Sequence, residues 1–186
     1  MNIAVLGTGI VGKTIAGRLD ALGHVVKIGT RDVQQTLARN EPDMAGGPPL
    51  RTWLEAHPKV TLATHADAVA HGEIVVNALS GQGALAGLRA AGADRLGNKI
   101  VVDISNPLDF SKGMPPSLTV ANTDSLGEQI QRELPNTRVV KTLNTINAFL
   151  MVEPRQLAGG DHTMFVCGND AAAKEQVTRL LGDFGW

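Results

Sequence analysis

The chain has no tyrosine and one cysteine, and aromatic side chains make up 3% of its 186 residues. Each scarcity removes a class of function. A lone thiol, Cys167, can close no intrachain disulfide and build no cysteine metal cluster. Its setting, Met164-Phe165-Val166-Cys167, predicts a packed, inert thiol on a buried strand. Few aromatics leave few platforms on which bases could stack. Neither sign of charge dominates: 17 Lys and Arg face 18 Asp and Glu. The basic residues are scattered rather than striped, so no nucleic-acid partner is expected. No apolar run approaches the length of a membrane span. The chain opens on a strand at Asn2, which leaves no room for a signal peptide, and a cytoplasmic protein is expected. Histidines 24, 57, 65, 71 and 162 lack metal-ligand spacing, and no pair of carboxylates stands out for acid–base work.

What is present is an alternation of short β-branched runs with helical patterns. Strands are predicted at 3–6, 24–28, 60–62, 73–79, 99–104, 138–143 and 163–167. Helices are predicted at 10–22, 33–39, 50–57, 66–70, 84–91, 125–134 and 171–181, with a long proline-rich loop at 105–117. Such alternation implies an α/β fold of the Rossmann type, a mostly parallel sheet with helices on both faces. The length suits a single domain spanning 1–186.

The first strand runs into Gly7-Thr8-Gly9-Ile10-Val11-Gly12, a G-x-G-x-x-G turn that opens a helix, as a dinucleotide fingerprint requires. Gly7 permits the tight turn, Gly9 a close approach of backbone to pyrophosphate, and Gly12 close helix–strand packing. The helix N-terminus offers free N–H groups to the anion. The same stretch, ending Gly12-Lys13-Thr14, also fits the P-loop pattern, with Val101-Val102-Asp103 as a strand ending in a magnesium ligand. Large apolar Ile10 and Val11, which pack as a first helical turn, favour the dinucleotide. Lys13 is then a solvated helix residue.

In NAD-binding chains an acidic residue near the end of the second strand bonds the adenosine ribose. Here Gly29-Thr30-Arg31 stands in its place, and a hydroxyl with a guanidinium suits a ribose phosphate, hence NADP. Asp32 reads as the N-cap of the next helix, with ribose binding as its alternative, and Gln35 lies one turn on, within reach of the phosphate. Three further strand exits are small and polar: Asn77-Ala78-Leu79-Ser80-Gly81, Asp103 to Leu108, and Lys141 to Ile146. Ordinary turn chemistry would also use such residues, but all three fall at the carboxyl ends of one sheet, where ligands bind. Phe110 and Met114 belong to a loop that either covers this cleft or is plain surface. Hydride transfer between two bound ring systems needs alignment and exclusion of water rather than a side-chain acid.

These blocks, with Val139 to Thr145 and Phe165-Val166-Cys167-Gly168-Asn169-Asp170, resemble in series the NADPH:deazaflavin oxidoreductase family, which uses coenzyme F-420. The NADPH-binding domain of the STEAP metalloreductases is similar too. The resemblance implies NADP at Thr8, Gly9, Ile10 and Val11, with Thr30 and Arg31 on the ribose phosphate. It implies Ser80, Asn106 and Asn144 beside the nicotinamide, with Leu79 in the same exit. It further implies a deazaflavin or flavin acceptor as second substrate and a homodimer. The family pattern continues past Trp186 with another strand and helix. The alternatives are a non-catalytic NADPH-binding or electron-input module, and a P-loop hydrolase.

Overall fold

The computed structural model describes residues 1–43 and 45–186. Strand β1 (Asn2–Leu6) leads into α1 (Ile10–Ala21), and β2 (Val25–Thr30) into the short helices α2 (Val33–Leu37) and α3 (Leu50–Ala56). Next come β3 (Thr61–Thr64), α4 (His65–His71), β4 (Ile74–Asn77), α5 (Gly81–Ala91), α6 (Ala93–Leu96) and β5 (Ile100–Asp103). The small strands β6 (Leu108–Asp109) and β7 (Ser117–Leu118) precede α7 (Leu126–Glu133) and β8 (Arg138–Lys141). Helices α8 (Ala148–Val152) and α9 (Ala171–Phe184) close the chain.

Six strands form one parallel sheet in the order β3-β2-β1-β4-β5-β8. The strand order reverses between β1 and β4, which opens a crevice over their carboxyl ends. Both faces of the sheet are covered. Alternate side chains of β1 divide between them: Ile3 and Val5 join Ile15, Leu19, Val177 and Leu180 on one side, while Ala4 and Leu6 join Val69, Leu88 and Ile130 on the other. A strand buried on both faces must be apolar throughout, which is why these runs lack an alternating pattern.

Some expectations shift. The second strand runs two residues further than its pattern implied. Gly29 is no break, because a Cβ there would stand 2.6 Å from Leu6 and 3.1 Å from the His65 ring; the strand needs glycine to pass. The strand expected at 163–167 reduces to a single antiparallel bridge from Cys167 to Lys141. Cys167 is exposed rather than packed, since no second neighbour strand covers it. The 105–117 loop carries the β6–β7 pair, an antiparallel ladder of its own.

Candidate cofactor site

The glycine turn separates fold from ligand. Gly7 sits at φ +124°, and a Cβ there would collide with the Ala78 carbonyl; one on Gly12 would collide with the Gly7 carbonyl. Packing alone demands both. Gly9 is different. Its φ of −79° and ψ of −174° suit any residue, and a Cβ would meet nothing within 4 Å. Neither a positive φ nor packing requires glycine there; its position as the N-cap of α1 favours glycine over alanine, and the space beside it is open. No side chain caps that helix. Val11 packs on the core, as a dinucleotide helix requires.

The P-loop alternative fails on two side chains. Lys13 is not solvated: it is 5% exposed, its ammonium pairs with Asp43 at 2.6 Å and donates to the Pro48 carbonyl at 2.7 Å. Those two contacts, to Asp43 and to Pro48, engage the ammonium that a P-loop would turn to phosphate. Asp103 is fully buried and saturated with donors, so it offers nothing to a magnesium ion. Among the described residues, no three His, Cys, Asp or Glu side chains gather to hold a metal.

At the exit of β2, Thr30 is buried and its hydroxyl shares a 2.7 Å bond with Thr36. That leaves the exposed Arg31 as the group free to meet a ligand; it makes no hydrogen bond or ion pair among the described residues. Asp32 caps α2 by accepting the Gln35 N–H at 2.8 Å, and Gln35 itself is exposed.

The other three exits are tied into one unit. Strands β4, β5 and β8 end in the same register row: Asn77 beside Asp103 beside Lys141. The Asp103 carboxylate accepts from Asn77 Nδ2 at 2.8 Å, Ser105 Oγ at 2.6 Å, the Ser105 N–H at 3.2 Å and Lys141 Nζ at 2.9 Å. Lys141 also donates to the Ser105 carbonyl. A buried carboxylate is tolerable because these donors replace its water. One step further out, Asn106 Nδ2 donates to the Asn144 carbonyl at 2.7 Å, and Asn144 Nδ2 to Asn106 Oδ1 at 3.2 Å. Leu143, left-handed at φ +60°, turns the chain there. Gly81 donates its N–H to the Asn106 carbonyl at 3.2 Å, and a Cβ on Gly81 would strike that carbonyl. Ser80, Asn106 and Asn144 are thereby gathered, while Leu79 packs inward beside Gly87.

A cleft of about 780 Å³ opens beside this group, lined by Asn106, Asn144, Lys141, Leu118, Leu126 and Cys167 among others. Phe110 and Met114 are exposed and line no part of it. At its rim Arg132 bonds Asp124 twice, which holds that carboxyl down to about 2. Sequence patterning quoted Asn77 and Lys141 only as parts of their exits. The signal was there in Ile-Val-Val-Asn, Ile-Val-Val-Asp and Arg-Val-Val-Lys, three strands ending in a mutually compatible polar row.

Residues 2–107 match the family described as NADP oxidoreductase, coenzyme F420-dependent. The chain belongs to this family. It is 61% identical to a protein from Arthrobacter sp. FB24 described as an F420-dependent NADP reductase, covering all of this chain and 81% of that one, with a TM-score of 0.95. Rat metalloreductase STEAP3 is 27% identical over the whole chain, which spans 32% of that protein's length. Pyrroline carboxylate reductase of Plasmodium falciparum, solved with NADP bound, shares the fold alone, at 13% identity and a TM-score of 0.59 over 99% of this chain and 55% of that one. The family is one of NADP oxidoreductases, and the sheet is Rossmann-like. No helix among the described residues is long and apolar enough to cross a membrane.

Proposed function

We propose that the chain is one NADP-binding domain that transfers hydride between NADP(H) and a deazaflavin or flavin. The observation that carries the reading is the open space at Gly9, on an uncapped helix N-terminus inside the G-x-G-x-x-G turn, where a ligand can approach the backbone closely. When bound, NADP(H) supplies the hydride or receives it. The residues of this chain do the rest. Gly7, Gly9 and Gly12 form the turn, and the uncapped N–H groups of Thr8, Gly9, Ile10 and Val11 neutralise the pyrophosphate. Arg31 meets the ribose phosphate, with Thr30 supporting the strand end and Gln35 beside it. Leu79 lines the inner wall, and Ser80, Asn106 and Asn144 orient the nicotinamide end. The tied exits fix that orientation, because Asn106 and Asn144 cannot move independently of each other.

The neighbouring cleft supports a flat second substrate, since it begins at the Asn106–Asn144 pair and is large enough for a tricyclic ring system. No acid or base is required for hydride transfer between rings. A cytoplasmic homodimer belongs to the same reading, and sedimentation of the purified protein tests the dimer. The decisive experiment is a fluorescence titration with NADPH and NADH side by side, without magnesium. NADPH should bind at least tenfold tighter, and Arg31→Ala should remove most of that difference while leaving NADH nearly unchanged. Equal weakening of both would refute the phosphate assignment. Oxidation of NADPH by added flavin or deazaflavin then distinguishes an enzyme from a binding module.

A further inference from the structure

His65 is the one buried histidine, 4% exposed, and nothing in hydride transfer uses it. It is the first residue after β3. Because Thr64 pairs with Thr30 in the β2–β3 ladder, His65 and Arg31 leave adjacent strands side by side at the same level. The imidazole occupies a slot made by two glycines: Nδ1 lies 3.1 Å from where a Gly29 Cβ would be, and Nε2 lies 3.7 Å from the Gly87 equivalent. Nδ1 is buried and has no hydrogen-bond partner among the described residues. A folded protein seldom leaves such an atom unpaired without a reason.

The surroundings determine what the ring can do. Around it, β1 contributes Leu6, the exit of β4 contributes Leu79 and α5 contributes Gly87. The charges of the helices packed on α4 are Arg89 of α5, which pairs with Glu133, and Asp94 and Arg95 of α6, and none of them acts on the ring. On its own helix, Asp67 is engaged with Thr64, and His71 bonds the Val25 carbonyl at the far end. Lys99 also lies toward that far end, on the Val69 carbonyl. From β2 comes Arg31, the charge that acts on the ring. Burial first, and Arg31 second, push the imidazole below the ordinary histidine value, so it is uncharged in the free protein near neutral pH.

We infer that His65 is a specificity-determining residue of the adenosine end, taking up a proton when a ribose phosphate engages Arg31, so that NADPH binding, unlike NADH binding, is linked to proton uptake. The inference rests on the proposed NADP site. A phosphate dianion neutralises Arg31 and adds negative charge beside the ring, and both changes favour the imidazolium. The proton comes from solvent and no bond is made or broken elsewhere. By linkage, NADPH must bind more tightly as pH falls.

Calorimetric titration in buffers of different ionisation enthalpy counts the protons directly. The wild-type protein should take up a fraction of a proton with NADPH and none with NADH. The phosphate itself can only release a proton on binding Arg31, so the sign separates the two sources. Between about pH 8 and about pH 6.5, NADPH affinity should rise roughly threefold more in the wild type than in His65→Asn or His65→Gln. Release or no exchange with wild-type NADPH overturns the inference, as does uptake that persists in either variant or appears equally with NADH. The wild-type buffer series stands even where a variant misfolds. If Arg31→Ala weakens NADPH and NADH alike, the NADP site itself is misplaced; if it weakens NADPH selectively and His65 still exchanges no proton, this inference alone falls.

Discussion

Substituting Gly9 by alanine separates binding from folding at a single methyl group. The φ of −79° costs alanine nothing, and the Cβ enters space with no neighbour within 4 Å. Reduced freedom in the unfolded chain favours alanine by about 0.4–1 kcal/mol. Alanine is a poorer N-cap than glycine by a similar amount, so the two effects offset. Stability should stay within about 1 kcal/mol of wild type. Binding should not be spared, because the methyl stands where the pyrophosphate must approach the backbone. A loss of roughly 10- to 100-fold in NADPH affinity is expected, equivalent to about 1.4–2.8 kcal/mol. Gly12→Ala provides the contrast. Its Cβ meets the Gly7 carbonyl, and backbone cannot yield as a flexible side chain does, so stability should fall by about 1–3 kcal/mol or more. Thermal melts and NADPH fluorescence titrations on both variants suffice. A Gly9→Ala protein that melts normally and binds NADPH as the wild type does would refute the assignment of the turn.

Asp103→Asn leaves Lys141 without its carboxylate in a largely buried place. A loss of about 3 kcal/mol is expected, lowering the melting temperature by roughly 6–12 °C and slowing NADPH oxidation with it. Lys13→Met should cost about 1–3 kcal/mol through the stranded Asp43 yet leave NADPH affinity intact, whereas a P-loop lysine would abolish nucleotide binding. Asp124 titrates near 2 in the fold against about 3.8 free, so its contribution is complete above about pH 4 and is lost as pH falls toward 2. Carboxyl NMR of the wild type, with Asp124→Asn to assign the signal, checks that midpoint.

Sequence patterning made the strand–helix alternation of a parallel sheet and the glycine turn legible because both are local: apolar runs, a turn and a helix start lie within a few residues of each other. It captured the polar exits for the same reason. Lys13 escaped it because its partner, Asp43, sits 30 residues on in a Gly- and Pro-rich loop whose course no periodicity encodes. Cys167 escaped it because a short apolar run implies a strand but not whether a partner strand covers it. His65 lay at the edge of a weakly patterned helix, and its burial depends on the absent side chains of Gly29 and Gly87, residues on two other elements. The Asp103 cluster needed the register of three strands, which only the folded sheet supplies.

The buried Asp103 cluster also divides the molecule in evolutionary terms. Every side chain that secures Asn106 and Asn144 belongs to β4, β5, β8 or their exits, and any change there disturbs several partners at once. Arg31 has no such obligations among the described residues: it is exposed after β2. On the proposed reading, selection can therefore rewrite the preference for a phosphorylated or plain ribose by exchanging one or two surface residues, without touching the geometry at the proposed nicotinamide end. A lineage built on this frame is free to follow the cell's supply of reducing equivalents while its chemistry stays fixed.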